Sequence, residues 1–289
     1  MTWTLSTSLD DFRAQAGPFL AEHPAENTVL LTVIERLGSD GPAAFGDRAP
    51  RFGWWRPAPG APVEGAYVQT PPYNPRLGRM PAAAGAALAG ALAEAGVDHD
   101  GGQELEGISG GKAAVRAFSA AWRAVTGCSA SLRVNERLYR LGSLTGPDPA
   151  PAGVARRADA AERDVLISWF GAFAAEVGVD FHNNAGAVDR RIADGTLHVW
   201  EAQGRPAAFA GRSPVIAGMS RIGPVFTPPE LRGRGYASAA TAAASAHALA
   251  LGAQEVLLYT DLANPTSNSI YRKLGYEPVE DCLSLNFHA

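Results

Sequence analysis

The segment Arg232-Gly233-Arg234-Gly235-Tyr236-Ala237 is the most informative stretch of this 289-residue chain. It lies between a strand-like run, residues 218–226, and an alanine-rich run, residues 236–251, that is typical of a helix. The first N–H groups of a helix have no partner within it, and the helix dipole favours negative charge beside them. The two glycines permit positive φ and let the backbone approach a ligand closely. The segment therefore predicts a loop that binds a pyrophosphate, with a glycine-rich turn carrying solvated arginines as the alternative.

Two other phosphate-binding motifs do not fit this loop. A P-loop needs Gly-x4-Gly-Lys-Ser/Thr, and neither Lys112 nor Lys273 has that setting. A dinucleotide fingerprint G-x-G-x-x-G would place its third glycine at position 238, which is Ser238. The sequence therefore indicates neither a P-loop ATPase nor a Rossmann dehydrogenase.

A second segment, residues 264–276, predicts a short helix with a polar face. Asn264 suits the N-cap position, a proline follows it at the first helical position, and a glycine ends the helix. Tyr271 then lies almost two turns into the helix, on the same face as Ser267 and near Asn268. The polar face offers hydroxyl and amide groups to a ligand.

These two segments resemble the GNAT superfamily of acyl-CoA-dependent N-acyltransferases. The family hallmark, Gln/Arg-x-x-Gly-x-Gly/Ala, is matched at every fixed position by residues 232–237. Residues 264–276 are similar to the family's second block, an asparagine followed by a tyrosine and then Gly-Phe/Tyr. The resemblance covers about residues 153–289 and implies an α/β (α+β) fold, in which helices flank a mixed, mostly antiparallel sheet.

The resemblance also implies a reaction and a site. The reaction is transfer of an acetyl group from acetyl-CoA to a primary amine of a small molecule, by direct attack in a ternary complex. The Tyr271 hydroxyl would act as general acid for the leaving thiolate, and the alternative is a core tyrosine that packs the helix on the sheet. A backbone N–H near Val225 would stabilise the oxyanion. The implied cofactor-binding residues are Val225, Phe226, Arg232, Gly233, Arg234, Gly235, Tyr236, Ala237, Ser238, Asn264, Ser267 and Asn268.

The general base and the acceptor are less constrained by the sequence. Glu201, at the end of a strand, is the candidate base through a water, and an ordinary solvated strand carboxylate is the alternative. No metal-ligand spacing links the histidines, so no metal is expected and they are interpreted as structural or surface residues. Candidate acceptor contacts are Phe181, His182, Asn183, Asn184 and Trp200.

The chain also indicates an internal duplication. Thr-Pro-Pro occurs at residues 70–72 and again at 227–229, each time after a strand-like run and before a turn and an alanine-rich helix. A proline- and glycine-rich stretch, residues 147–153, is a candidate linker. We predict two tandem GNAT-like domains, residues 1–146 and the catalytic domain at 154–289.

The first half departs from the family pattern. Its turn, residues 76–79, lacks the second glycine, and Pro81 removes a backbone donor. Residues 110–119 carry neither the asparagine nor the tyrosine of the second block. We predict a degenerate copy that does not bind CoA and instead shapes the acceptor side.

Charge and composition narrow the partners. The net charge of −4 and pI of about 5.9 argue against nucleic acid and against an anionic membrane surface. With no apolar run long enough to span a membrane and no signal-like start, the expected location is cytoplasmic. A homodimer is left open. The alternatives to an enzyme acting on a small amine are a non-catalytic CoA- or metabolite-binding module and an aminoacyl-tRNA-dependent transferase, and the acidity counts against the latter.

Overall fold

The computed structural model describes residues 2–96, 105–178 and 184–289, and these contain twelve strands and eight α-helices. The strands are β1 (Thr2–Ser6), β2 (Arg51–Arg56), β3 (Gly65–Gln69), β4 (Arg76–Leu77), β5 (Gly107–Gly111), β6 (Ser129–Leu141), β7 (Val154–Arg157), β8 (Leu197–Ala202), β9 (Arg205–Arg212), β10 (Met219–Phe226), β11 (Glu255–Asp261) and β12 (Tyr276–His288). The α-helices are α1 (Leu9–Glu22), α2 (Thr28–Asp40), α3 (Ala82–Glu94), α4 (Lys112–Thr126), α5 (Arg163–Val177), α6 (Asn184–Ala193), α7 (Tyr236–Ala250) and α8 (Pro265–Lys273).

The chain divides into two compact units that do not follow its linear order. The first consists of Met1–Leu138, Thr260–Ala263 and Val279–Ala289, and the second of Tyr139–Tyr259 and Asn264–Pro278. The long strands β6 and β12 therefore supply residues to both units. The two domains predicted from the sequence, residues 1–146 and 154–289, are contiguous ranges, whereas each compact unit combines several segments. The predicted boundaries therefore stay a prediction.

In the first unit the strand order is β1-β2-β3-β4-β5-β12-β6. The C-terminal strand pairs antiparallel with β5, from Cys282 opposite Gly111 to Asn286 opposite Gly107. Helices α3 and α4 pack together on this sheet around a buried aromatic and aliphatic core. Burial of that core is the main stabilising contribution.

The predicted turn at residues 76–79 is partly wrong. Arg76 and Leu77 form β4, because they pair with β3 opposite Val68 and Tyr67. The next two backbone N–H groups are also bonded. Gly78 donates to the Ala66 carbonyl at 2.9 Å, and Arg79 donates to Asn27 Oδ1 at 2.9 Å. These amides are held by protein acceptors and are not presented to an anion.

In the second unit the strand order is β6-β11-β10-β9-β8-β7. Strands β7 to β10 are antiparallel, and β10 pairs with β11 in parallel. Alternate residues point to opposite faces. Leu197, Val199 and Phe209 pack in the cluster under α5, whereas Ala208 and Ala210 pack in the cluster under α7. Small alanines on this face let α7 lie close to the sheet.

The α/β fold with a mixed, mostly antiparallel sheet and flanking helices is confirmed. The helix predicted over 236–251 is α7, which the structure ends at Ala250. Within the three described ranges, no helix is both long enough and apolar enough to cross a membrane.

Candidate functional site

Strand β10 separates from β11 halfway along its length. The parallel register runs from Met219 opposite Glu255 to Ile222 opposite Leu258, and β10 then continues to its end beside β9 alone. A register shift on the β9 side lies between Ile222 and Val225, which marks a bulge. A bulge bends a strand and increases its local twist. The last four residues of β10 therefore have backbone edges that no parallel neighbour covers.

The loop after β10 delivers the chain to the N-terminus of α7. A short 3-10 turn, Pro229–Leu231, is followed by Gly233 at φ +76° and Gly235 at φ +81°. Gly235 is the N-cap, no side chain caps the helix, and the first helical bond is donated by Ala239 to the Gly235 carbonyl at 3.0 Å. The N–H groups of the first turn, those of Tyr236, Ala237 and Ser238, precede that bond and so have no partner within the helix. They form a positively polarised end at which an anion can bind.

The Arg232 side chain has partners within the protein, and its contact with a ligand stays a prediction. Its Nε donates to the Thr227 carbonyl at 2.9 Å, and its Nη2 pairs with the Glu176 carboxylate on α5. Its guanidinium also lies 5.7 Å from the centre of the Phe226 ring. The side chain thus holds the loop against α5, and both Arg232 and Arg234 are exposed to solvent.

Helix α8 begins as the sequence predicts. Asn264 is the N-cap, and its Oδ1 accepts from the Ser267 N–H at 2.9 Å. Asn268 is buried, accepts from the Tyr139 hydroxyl at 2.9 Å and donates to the Asn264 carbonyl at 2.7 Å. Both asparagine side chains therefore already stabilise α8 and its attachment to β6. Their contact with a ligand stays a prediction.

Tyr271 lies on α8 and packs on the cluster under α7, which Val225 also contacts. Its ring is 6.1 Å from the Tyr276 ring at an interplanar angle of 67°. The Tyr276 hydroxyl forms a hydrogen bond with Ser245 Oγ at 2.7 Å, which fixes the position of the ring. Burial raises the pKa of Tyr271 to about 12. The phenol therefore keeps its proton at neutral pH and can act as a hydrogen-bond donor.

Glu201 is not an isolated carboxylate. Arg156 on β7 donates from Nε to Glu201 Oε2 at 2.7 Å and from Nη1 to Glu162 Oε2 at 2.9 Å. Glu162 is buried and also accepts from the Asp159 N–H, as part of a capping box. The guanidinium thus holds both carboxylates at the β7 edge of the sheet. That Glu201 acts as general base stays a prediction of the sequence, and its pairing with Arg156 argues against that role.

The acceptor candidates are only partly described. Phe181, His182 and Asn183 lie outside the described residues. Trp200 donates from its indole nitrogen to the Ala152 carbonyl at 3.3 Å, and Asn184 begins α6. Among the described residues, no three His, Cys, Asp or Glu side chains converge as a metal site requires.

Three contacts of this site have no signal in the sequence, because each joins distant residues. These are the pairing of Arg232 with Glu176, of Asn268 with Tyr139 and of Glu201 with Arg156. Tertiary packing of helices α5 and α8 and of strands β6, β7 and β8 brings these partners together.

Comparison with known proteins identifies the family of this region. Residues 164–276 match the acetyltransferase (GNAT) family model. No curated protein sequence matches the chain.

Solved structures support the fold over the whole chain. A GNAT-family acetyltransferase from Colwellia psychrerythraea is 13% identical, with a TM-score of 0.62 and complete coverage of both chains. A GCN5-related N-acetyltransferase from Sphaerobacter thermophilus is 14% identical, with a TM-score of 0.63 over 99% of this chain and 95% of that one. A tandem GNAT protein from the clavulanic acid biosynthesis pathway is 15% identical, with a TM-score of 0.57 over 99% and 98%. At these identities the likeness is one of fold. The uncapped α7 loop and the divergence of β10 from β11 both lie within the range that matches the family model. Residues 164–276 are therefore a GNAT acetyltransferase domain, and this family transfers acyl groups from acyl-CoA.

Proposed function

We propose that the protein transfers an acetyl group from acetyl-CoA to a primary amine of a small molecule, by direct attack in a ternary complex. The observation that carries this proposal is the uncapped N-terminus of α7, reached through two glycines of positive φ directly after the splayed end of β10. The first-turn amides of α7 can bind the pyrophosphate of acetyl-CoA. The uncovered edge of β10 can bind the pantetheine arm of the same molecule.

In this proposal the pyrophosphate is bound mainly by backbone groups. The first-turn amides of α7, those of Tyr236, Ala237 and Ser238, supply the donors, and Arg234 adds a charge at the exposed side of the loop. Arg232 acts indirectly, because its guanidinium fixes the loop through the Thr227 carbonyl and Glu176.

The thioester would lie along the free edge of β10. The amine nitrogen forms a bond to the acetyl carbon, the carbon–sulfur bond breaks, and the amine proton passes to solvent while the thiolate gains one. Pro224 has no N–H, so the N–H of Val225 is the proposed donor to the carbonyl oxygen.

Tyr271 would donate a hydrogen bond to the leaving sulfur. An alkyl thiol has a pKa of about 8.5, so complete proton transfer from a phenol whose pKa is about 12 is uphill by about 5 kcal/mol. The tyrosine therefore acts by stabilising the developing thiolate while it keeps most of its proton. This role needs the protonated form, which burial secures.

Calorimetric titration with acetyl-CoA tests whether the α7 loop binds this ligand and whether the first half of the chain has lost its own site. We expect one site per chain, because the amides of Gly78 and Arg79 in the first half already have protein acceptors. Ligand at about one hundred times Kd should stabilise the fold by about 2.7 kcal/mol. Two sites would contradict the degenerate first half, and no binding at millimolar ligand would reject the α7 loop as the binding site.

The variant Glu201→Gln separates the two interpretations of that carboxylate. We expect kcat/KM to change less than about threefold and the acidic limb of the pH–rate profile to persist, because Arg156 already engages the carboxylate. Loss of that limb together with a roughly 100-fold fall in kcat/KM would instead establish Glu201 as the base. Thermal unfolding of the same variant reports the contribution of the ion pair to stability.

Acyl transfer to a panel of primary amines separates an enzyme from a binding module. Saturable binding of acetyl-CoA with no transfer to any amine would favour the non-catalytic alternative.

A further inference from the structure

An open pocket on the α7 side of the sheet in the second unit is not used by the proposed reaction. Its volume is about 400 Å³, and it opens beside β7, β8 and the C-terminal half of α7. Its lining residues are Ala155, Arg156, Arg157, His198, Ala243 and His247.

The register of the sheet explains why basic side chains meet here. Arg157 on β7 is opposite His198 on β8, and His198 is opposite Ala210 on β9. Cross-strand partners share a face, and so do residues two apart on one strand. Arg212, two residues beyond Ala210, is thus on the same face as His198. His247 reaches this face from α7, with its Nδ1 3.1 Å from His198 Nε2.

Arg157 and Arg212 bring positive charge to this face of the sheet. Arg212 is only 5% exposed, its Nη1 donates to the Ser213 carbonyl at 3.1 Å, and its Nε has no hydrogen-bond partner. In the part of the chain that the structure describes, no carboxylate forms an ion pair with Arg157 or Arg212. Arg156, by contrast, is paired with Glu162 and Glu201.

The charges of Arg212 and Arg157 contribute to lowering the pKa of both histidines. Burial and the neighbouring charges, those of Arg212 and Arg157 included, lower the pKa of His198 to about 4, and burial followed by the same arginines lowers the pKa of His247. Both rings are therefore neutral at neutral pH. A buried, unneutralised arginine is costly unless something supplies the missing negative charge.

We propose that this pocket binds a phosphate group, with Arg157, His198 and His247 as the residues that face the ligand and with the buried charge of Arg212 behind them on the same face of the sheet. A tetrahedral oxyanion can accept from the Arg157 guanidinium and from an imidazole N–H at once, and the buried charge of Arg212 favours an anion over a cation there. A divalent cation would instead face the positive charges of both arginines. The site differs from the α7 loop in its residues, so it does not depend on the proposed acetyl transfer.

Proton NMR signals of the histidine ring C–H groups, measured on the full chain, report phosphate binding at this pocket. At constant ionic strength, inorganic phosphate should shift the His198 and His247 signals saturably, with Kd on the order of 1 mM or below. The bound anion should also raise the pKa of His247, because it favours the imidazolium. Sulfate should reproduce the effect, whereas acetate should bind at least roughly tenfold more weakly if a tetrahedral group is required.

Matched variants assign the site. Arg157→Gln should weaken phosphate binding at least about tenfold, and Arg205→Gln, the same change of charge at the exposed start of β9, should leave it unchanged. Arg157 is exposed, so its variant is expected to fold, and His247→Asn supplies a second test within the pair. Arg232→Ala should not alter the histidine shifts, which separates this proposal from that of the α7 loop.

Several results would overturn the proposal. Unsaturated shifts at tens of millimolar phosphate, equal shifts with chloride, or equal affinities of the Arg157 and Arg205 variants would show an adventitious ion only.

Discussion

Replacement of Tyr271 by phenylalanine is expected to lower kcat roughly 100-fold and to change the Kd for acetyl-CoA less than about twofold. The phenol ring packs on the cluster under α7, and phenylalanine keeps that packing. Only the hydroxyl is lost, and with it the proposed hydrogen bond to the leaving thiolate. Single-turnover kinetics and calorimetry measure the two quantities separately.

A neighbouring tyrosine supplies the control. Tyr276→Phe removes a hydroxyl that bonds to Ser245 at 2.7 Å, so it should lower stability by about 1 kcal/mol and leave kcat nearly unchanged. Turnover at the wild-type rate in Tyr271→Phe would reject its role at the sulfur.

The pH dependence gives a further check on Tyr271. The proposed role needs the protonated phenol, which predominates below a pKa of about 12. The tyrosine should therefore cause no loss of kcat as the pH rises from neutrality to about 10. A basic limb near pH 9 that disappears in Tyr271→Phe would contradict the raised pKa.

The parts of the site that the sequence predicts are those set by local backbone chemistry. Two glycines before an alanine-rich run permit a loop of positive φ, and the structure has φ +76° and +81° there. Asn264 followed by proline required a helix start, and the N-cap bond to Ser267 is present. Such features depend on residues within about one helical turn, so one stretch of sequence contains their cause.

The parts that could not be predicted depend on tertiary contacts. No residue near Arg232 in the sequence indicates that its guanidinium forms an ion pair with Glu176, which is 56 residues away. Asn268 is likewise bound by Tyr139 across 129 residues. In both cases a polar residue in a ligand-binding motif has a structural partner, and only the packing of α5 or β6 shows it.

Strand exchange is a further limit on what the sequence can predict. The interspersed apolar and polar residues of β6 and β12 are typical of strands, but a strand pattern does not specify its neighbours. The pairing of Cys282 with Gly111 places the end of the chain in the first unit. The compact units therefore combine segments that are distant in the sequence.

Substitution of Gly235 by alanine is expected to raise the Kd for acetyl-CoA between about 10- and 100-fold. Gly235 has φ +81°, where a Cβ costs about 1 to 2 kcal/mol. The site has room for the added methyl, since its nearest neighbour would be Pro151 at 3.6 Å, so the strain is in the backbone. Relief of that strain rotates the peptide that leads into Tyr236, and the first-turn amides of α7 then lose their alignment.

The other end of the same helix gives the matched control. Gly252 follows α7, has φ +89° and nothing within 4 Å of an added Cβ, so Gly252→Ala carries a similar backbone strain. Both variants should lose similar stability in thermal unfolding, and only Gly235→Ala should lose affinity for acetyl-CoA. Equal affinities in the two variants would show that the α7 N-terminus does not hold the pyrophosphate. A selective loss would assign the binding energy to backbone amides whose direction Gly235 sets.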